Sequence, residues 1–280
     1  IIYTNKITYL KNDEIIFTKG DSKAVNDNTV ILAQEFKYLK KTNLLIAKNK
    51  VTIDDPDEDI VIFSQEITYD QNKNVIFTEG FTEARVQNKY NFYSKNVFYN
   101  KQNAELSSKK KTQVLDDKNN LYELDKFNYS KKDFLLKGEN VKIKTNFNSN
   151  INSDEYFFES GFFDLDNRNF NASNTKISMQ KSIFGNIEND PRLFGVTSFK
   201  EGEITQVNKG IFTSCKKREG CPPWSIQAQK IIHDKKKKQL IYDNAFLKVY
   251  DFPIVYFPKF FHPDPTVKRQ SGLLLSLIHI

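Results

Sequence analysis

The stretch Ile67-Thr68-Tyr69-Asp70-Gln71-Asn72-Lys73-Asn74-Val75-Ile76-Phe77-Thr78-Glu79-Gly80 decides how this chain is read. Ile, Val, Phe and Tyr lie on either side of a short polar run, the pattern of two strands joined by a tight turn. Asn, Asp and Lys suit that turn. A helix is a poor alternative, because apolar positions do not recur at three and four residues. The same unit stands earlier as Ile7-Thr8-Tyr9, Lys11-Asn12-Asp13-Glu14, Ile15-Ile16-Phe17-Thr18 and Gly20. Weaker copies begin at Phe36-Lys37-Tyr38, Val97-Phe98-Tyr99 and Phe127-Asn128-Tyr129, the last closing on Gly138. The tyrosines at 9, 38, 69, 99 and 129 are separated by 29, 31, 30 and 30 residues, a spacing too steady for chance.

One such unit cannot bury its apolar face alone, so successive units must stack. The predicted fold class is therefore all-β, a stack of antiparallel strands. A sixth copy is read at Phe163-Asp164-Leu165-Asp166 with Phe170, and a seventh at Ile231-Ile232-His233-Asp234 with Leu240-Ile241-Tyr242. In the seventh, Lys235 to Lys238 fall at the turn and read as a solvated surface. The Asn-rich residues 145–160 predict a longer loop, and 180–202, with Asp190-Pro191-Arg192, an irregular insert. No linker rich in Pro, Gly or Ser separates domains. The expected organisation is a repeat domain over 1–205, a final repeat with a cysteine loop over 206–250, and a Pro/aromatic connector over 251–280.

Among 280 residues there are 24 Phe and 13 Tyr but only 10 Gly and 8 Pro, which argues against disorder. The formal charge of +7 suits phosphates, whether of nucleic acid or of an anionic lipid, and its sign does not choose between them. There is no starting Met and no signal peptide, so the chain reads as a mature or truncated product. No stretch approaches the length of a membrane helix; Gly272 to Ile280 suffices for roughly one transmembrane β-strand.

Enzymatic chemistry finds little support. His233, His262 and His279 are isolated, and no phosphate-binding glycine loop or Ser/His/Asp spacing appears. No catalytic residue, metal or cofactor is expected. Cys215 and Cys221 are the only cysteines, too few ligands for zinc, and a local bridge between them is one option. A lipid groove would instead need an apolar face along the stacked units. Its candidates are Ile7, Tyr9, Ile15, Phe17, Tyr38, Ile46, Ile67, Tyr69, Val75, Phe77, Tyr99 and Tyr129. The same side chains could equally form the closed core of a structural or adhesive solenoid. The stiff segment with Pro253, Pro258, Pro263 and Pro265 among aromatic residues suits a membrane interface.

The thirty-residue units resemble the OstA-type repeat of lipopolysaccharide transport. From Thr213-Ser214-Cys215 and Cys221-Pro222-Pro223-Trp224 onward, the chain is similar to the outer-membrane receiver family of that system. The likeness runs through Lys230-Ile231-Ile232-His233-Asp234, Pro253-Ile254-Val255-Tyr256-Phe257-Pro258 and His262 to Gly272, with Arg269 inside it, some sixty residues. The soluble bridge protein of the system lacks this segment. The resemblance implies V-shaped antiparallel strands, with an irregular connector leading to an outer-membrane β-barrel absent from this sequence. It also implies an inner face that receives lipopolysaccharide acyl chains, in the periplasm at the outer membrane, and no nucleic-acid partner. Further implied partners are the bridge protein at the N-terminal edge, about residues 3–20, and a lipoprotein within the missing barrel. The family pattern pairs a cysteine at Cys215 with one beyond the barrel, which leaves Cys221 extra and the partner of Cys215 open. Leu273 to Ile280, an apolar run, departs from the family pattern.

Overall fold

The computed structural model describes residues 1–149, 153–179, 190–216 and 222–263, and among them every regular element is a strand. The chain divides into two compact units, the first Ile1–Glu139 and the second starting at Asn140. That division falls well before the segment boundaries at 205 and 250 read from the sequence.

In the first unit, β1 (Ile2–Tyr3) and β2 (Lys6–Leu10) both pair with β3 (Ile15–Asn26). A meander follows through β4 (Thr29–Leu39), β5 (Leu44–Asp55), β6 (Ile60–Asp70) and β7 (Val75–Val86), each antiparallel to the one before. The expected unit of strand, polar turn and strand is present. Its turns end on left-handed residues Glu14, Asn43, Asn74, Ala104 and Phe134, at the same period as the tyrosines.

Each long strand also bends at its middle. Register shifts lie at Lys19/Ser22, Leu32/Glu35, Lys48/Val51 and Ser64/Glu66. The bends in β3 and β7 use Gly20 (φ 87°) and Gly80 (φ 79°), and β5 uses Asn49 (φ 64°). A bulge inserts an extra residue and turns the strand, and a positive φ is cheapest for Gly, then Asn. The strands are therefore V-shaped, and the repeated glycine marks the corner rather than the end of a strand.

Beyond β7 the two arms of the V come apart into half-strands. These are β8 (Tyr90–Lys95), β9 (Phe98–Asn100), β10 (Glu105–Ser108), β11 (Thr112–Asp116), β12 (Leu121–Leu124) and β13 (Lys126–Ser130), before β14 (Leu135–Lys144) is long again. The pairings β7–β8–β11–β12–β14–β13–β10–β9 and back to β7 close an eight-strand antiparallel barrel, with the other strands bonded outside it. Consecutive halves are one to three residues apart, so this ring surrounds the break at the corner.

The core of the first unit lies between the arms. Phe92 of β8 packs on Phe127 and Tyr129 of β13 at ring-centroid distances of 5.4 and 5.1 Å. Ile53, Ile62, Ala84 and Val114 of one arm are as deeply buried as Leu45, Ile67, Ile76 and Leu106 of the other.

The second unit is itself an antiparallel meander, of β15 (Glu155–Asp164), β16 (Asn169–Ser178), β17 (Arg192–Glu201), β18 (Ile204–Thr213), β19 (Trp224–Asp234), β20 (Gln239–Val249) and β21 (Phe252–Pro263). The sixth and seventh copies are hairpins here, β15–β16 and β19–β20. The expected irregular insert is corrected over 192–201: this piece is a strand paired on both sides, with β16 and β18. Gly195 on this strand sits where an added Cβ would collide with the Val207 side chain. Phe212, Ile231, Leu240 and Tyr242 form the buried centre of this unit.

Residues 252–263, read as an irregular connector, form the last strand of the sheet in their described part. Pro253, Pro258 and Pro263 lie on it without breaking it, because among the described residues β21 pairs only with β20 and its outer edge needs no ladder donor. A bulge at Leu247/Lys248 absorbs the misfit.

Candidate functional site

The register builds one continuous row across the first unit. Tyr9 lies opposite Ile16, Ile16 opposite Tyr38, Tyr38 opposite Leu45, and Leu45 opposite Tyr69. The row continues through Ile76, Tyr99, Leu106, Tyr129 and Leu136. Tyrosine and aliphatic residues alternate along it, and all point to the inside of the V. Ile7 and Ile67 belong to the neighbouring inner row, with Phe36 and Ala47.

The other candidates lie on the opposite face. Phe17, Ile46 and Phe77 share a row with Thr8, Lys37, Thr68 and Phe98, while Ile15 and Val75 lie in the row beside it. The twelve positions therefore do not line one trough. Seven face inward (Ile7, Tyr9, Tyr38, Ile67, Tyr69, Tyr99 and Tyr129), and Ile15, Phe17, Ile46, Val75 and Phe77 face outward. The reason is the pleat: neighbouring strands carry paired residues on one face, and Tyr69 is opposite Ile76, not Val75 or Phe77.

The two inner rows change character along their length. Tyr69, Tyr99 and Tyr129 are fully buried, whereas Ile7 is 60% and Tyr9 48% exposed. At this open end β2 is exposed along its whole length and Lys40 Nζ lies 5.7 Å from the Tyr9 ring centroid.

Polar contacts tie the arms together over the buried part. Tyr99 donates its hydroxyl to Asp55 Oδ2 at 2.8 Å, and Lys101 Nζ stands 3.8 Å from the same oxygen. Lys101 also donates to Thr29 Oγ1 at 2.5 Å, and Lys131 pairs with Glu58 at 3.1 Å. One repeat earlier, Asn26 donates to the Tyr69 hydroxyl, which donates to Asn74, both at 2.9 Å. Burial, helped by the Asp55 charge, raises the Tyr99 hydroxyl far above the ordinary tyrosine value, and burial also raises Tyr69. These hydroxyls are donors at any physiological pH. The sequence reading missed this clasp. Its only signal was an acidic run, Asp54 to Asp59, facing lysines in turns more than forty residues later.

A second polar set lines the inside of the corner. Thr18 Oγ1 accepts the Phe36 N–H at 3.0 Å, and Thr78 Oγ1 accepts the Val97 N–H at 2.8 Å. Each of these hydroxyls also pairs with one four residues on, Thr18 with Ser22 and Thr78 with Thr82. The bulges interrupt the ladder here, and the hydroxyls supply acceptors for the backbone groups left over.

In the second unit, Cys215 is a free thiol 3.8 Å from the Trp224 carbonyl oxygen, and no disulfide forms among the described residues. Cys221, Pro265, Arg269, Gly272 and the run 273–280 lie outside the described residues. Trp224 opens β19 and packs on Phe212 at 6.2 Å. Exposed Phe252, Ile254, Tyr256 and Phe261 leave the last strand apolar toward solvent. Among the described residues no group of three or more His, Cys, Asp or Glu stands close enough to hold a metal ion.

No family model matches the chain, and no curated protein matches it.

Proposed function

We propose that this chain is the periplasmic part of an outer-membrane lipopolysaccharide-assembly protein, and that its inner face carries acyl chains toward a membrane barrel. The observation that carries this reading is the inner row from Tyr9 to Leu136. It is one uninterrupted apolar track, exposed at the N-terminal end and covered further along. Transfer of acyl chains onto such a track gains roughly 0.8 kcal/mol per methylene group. Passage through the covered part requires the arms to separate, and polar clasps are suited to that, since water replaces their hydrogen bonds on opening. Exposed β2 offers an edge for strand addition by the bridge protein. The apolar, proline-bearing β21 suits the approach to a membrane-embedded barrel and its lipoprotein.

A second reading, a structural solenoid with a closed core, is favoured by the complete burial of Tyr69, Tyr99 and Tyr129. Photocrosslinking in cells that carry the full-length gene separates the two. Probes at Tyr9, Tyr38 and Tyr69, with controls at outward Thr68 and at Lys73 in the turn, are expected to give lipopolysaccharide adducts at the inner positions alone. Adducts nowhere, or equally at the controls, favour the closed solenoid.

A further inference from the structure

We propose that the outer face of the first unit holds a binding site for a single-chain amphiphile with a phosphate head, at the break inside the eight-strand ring. This site opens on the outer side of the sheet, reaches the edge of the inter-arm core at Phe127 through the gap in the ring, and does not rest on the conduit reading. Between β10 and β11 the chain leaves the sheet at Lys109-Lys110-Lys111, and the halves β8/β9 and β12/β13 part at the same level. The interruption opens a recess of about 650 Å³, a size typical of small-molecule sites.

Its floor is aromatic. Phe77 and Phe98 are paired across neighbouring strands, and each keeps 39% of its surface exposed. Phe127, whose other side packs on Phe92, completes the floor where the sheet is interrupted. Elsewhere on outer faces, lysines lie over phenylalanine rings: Lys37 Nζ is 5.7 Å from the Phe17 centroid, and Lys176 Nζ is 5.5 Å from that of Phe157.

The rim is cationic. Lys109, Lys110, Lys126 and Lys137 line it with a single carboxylate, Glu139, which is bound to Lys126 at 2.8 Å. The lining thus carries four lysines against one carboxylate. Ser107 and Asn128 stand between the aromatic floor and Lys137 in the same cross-strand row. An apolar floor beside a lysine rim matches a molecule with an alkyl chain next to an anion, because the ammonium groups act as point charges for phosphate. An inorganic anion leaves the floor unused, and a neutral amphiphile leaves the rim unused.

The test is an NMR titration of the whole chain with decyl phosphate below its micelle concentration, run beside decyl maltoside and inorganic phosphate. Decyl phosphate is expected to move amides at Phe77, Phe98, Ser107, Lys110 and Lys137 while leaving Tyr69 and Tyr99 still. Lys109→Gln with Lys110→Gln should weaken it roughly tenfold, as loss of two exposed charge contacts implies. Phe98→Ser should weaken it while leaving the response to inorganic phosphate unchanged. Equal saturation by inorganic phosphate or by decyl maltoside overturns the proposal, as does no movement. Shifts confined to the inner row also overturn it, and would speak for the inter-arm track instead.

Discussion

Thr78 Oγ1 accepts the backbone N–H of Val97 at 2.8 Å, and the equivalent contact of the first repeat joins Thr18 to Phe36 at 3.0 Å. The recurring run Phe-Thr-x-Gly thus has one job for each residue. Phe faces outward, Thr repairs the ladder, and Gly takes the positive φ of the corner.

Thr78→Val removes that acceptor at nearly constant shape. The Val97 N–H and Thr82 hydroxyl then lose a buried partner, and a cost of about 1–3 kcal/mol is expected. Thr78→Ser should recover most of it. Urea denaturation followed by circular dichroism measures both, and an unchanged midpoint in Thr78→Val would remove the repair role.

Tyr99 and Asp55 act as one unit across the arms. Asp55→Ala strands the Tyr99 hydroxyl and Lys101, and about 3 kcal/mol of destabilisation is expected; Tyr99→Phe costs about 1–2 kcal/mol. The double variant should cost less than the two single losses together. Strict additivity in a double-mutant cycle would show that the arms are not coupled there.

Gly195 has no room for a side chain, since an added Cβ meets Val207 and stands 3.1 Å from the Asn208 carbonyl oxygen. Gly195→Ala should destabilise the protein by about 1–3 kcal/mol through overpacking. Val207→Ala in the same chain should restore part of that loss. Calorimetry decides, and a melting temperature insensitive to Gly195→Ala would contradict the close packing of β17 on β18.

Alkaline pH should unfold this protein early. Burial holds Tyr69, Tyr99, Tyr156 and Tyr242 above the ordinary value of 10.0. The folded chain keeps protons that the unfolded chain gives up, so this stability is full below about pH 10 and is lost as pH rises further. Lys200, lowered from 10.5 by burial, acts in the opposite direction, but as one group against four. The urea midpoint is expected to fall from about pH 10 upward, and Tyr242→Phe should flatten the fall. A midpoint that stays level to pH 11.5 in the parent chain would contradict the burial of these hydroxyls.

The sequence by itself determined the strands, the turns and their thirty-residue period, because these depend on neighbours two to four residues apart. Tyr69, the polar turn after it and Gly80 each act locally, and so each was legible. Which face looks inward was not, since Val75, Ile76 and Phe77 are all apolar and any of the three satisfies the alternation. Pairing decided it, by placing Ile76 opposite Tyr69 and Tyr99, which sends Phe77 outward to Phe98. The clasp of Asp55 on Tyr99 and the recess beneath Lys110 likewise needed the tertiary structure. Both join groups from separate strands at a bend, and the bend exists only when stacked neighbours bury the apolar faces on either side of it.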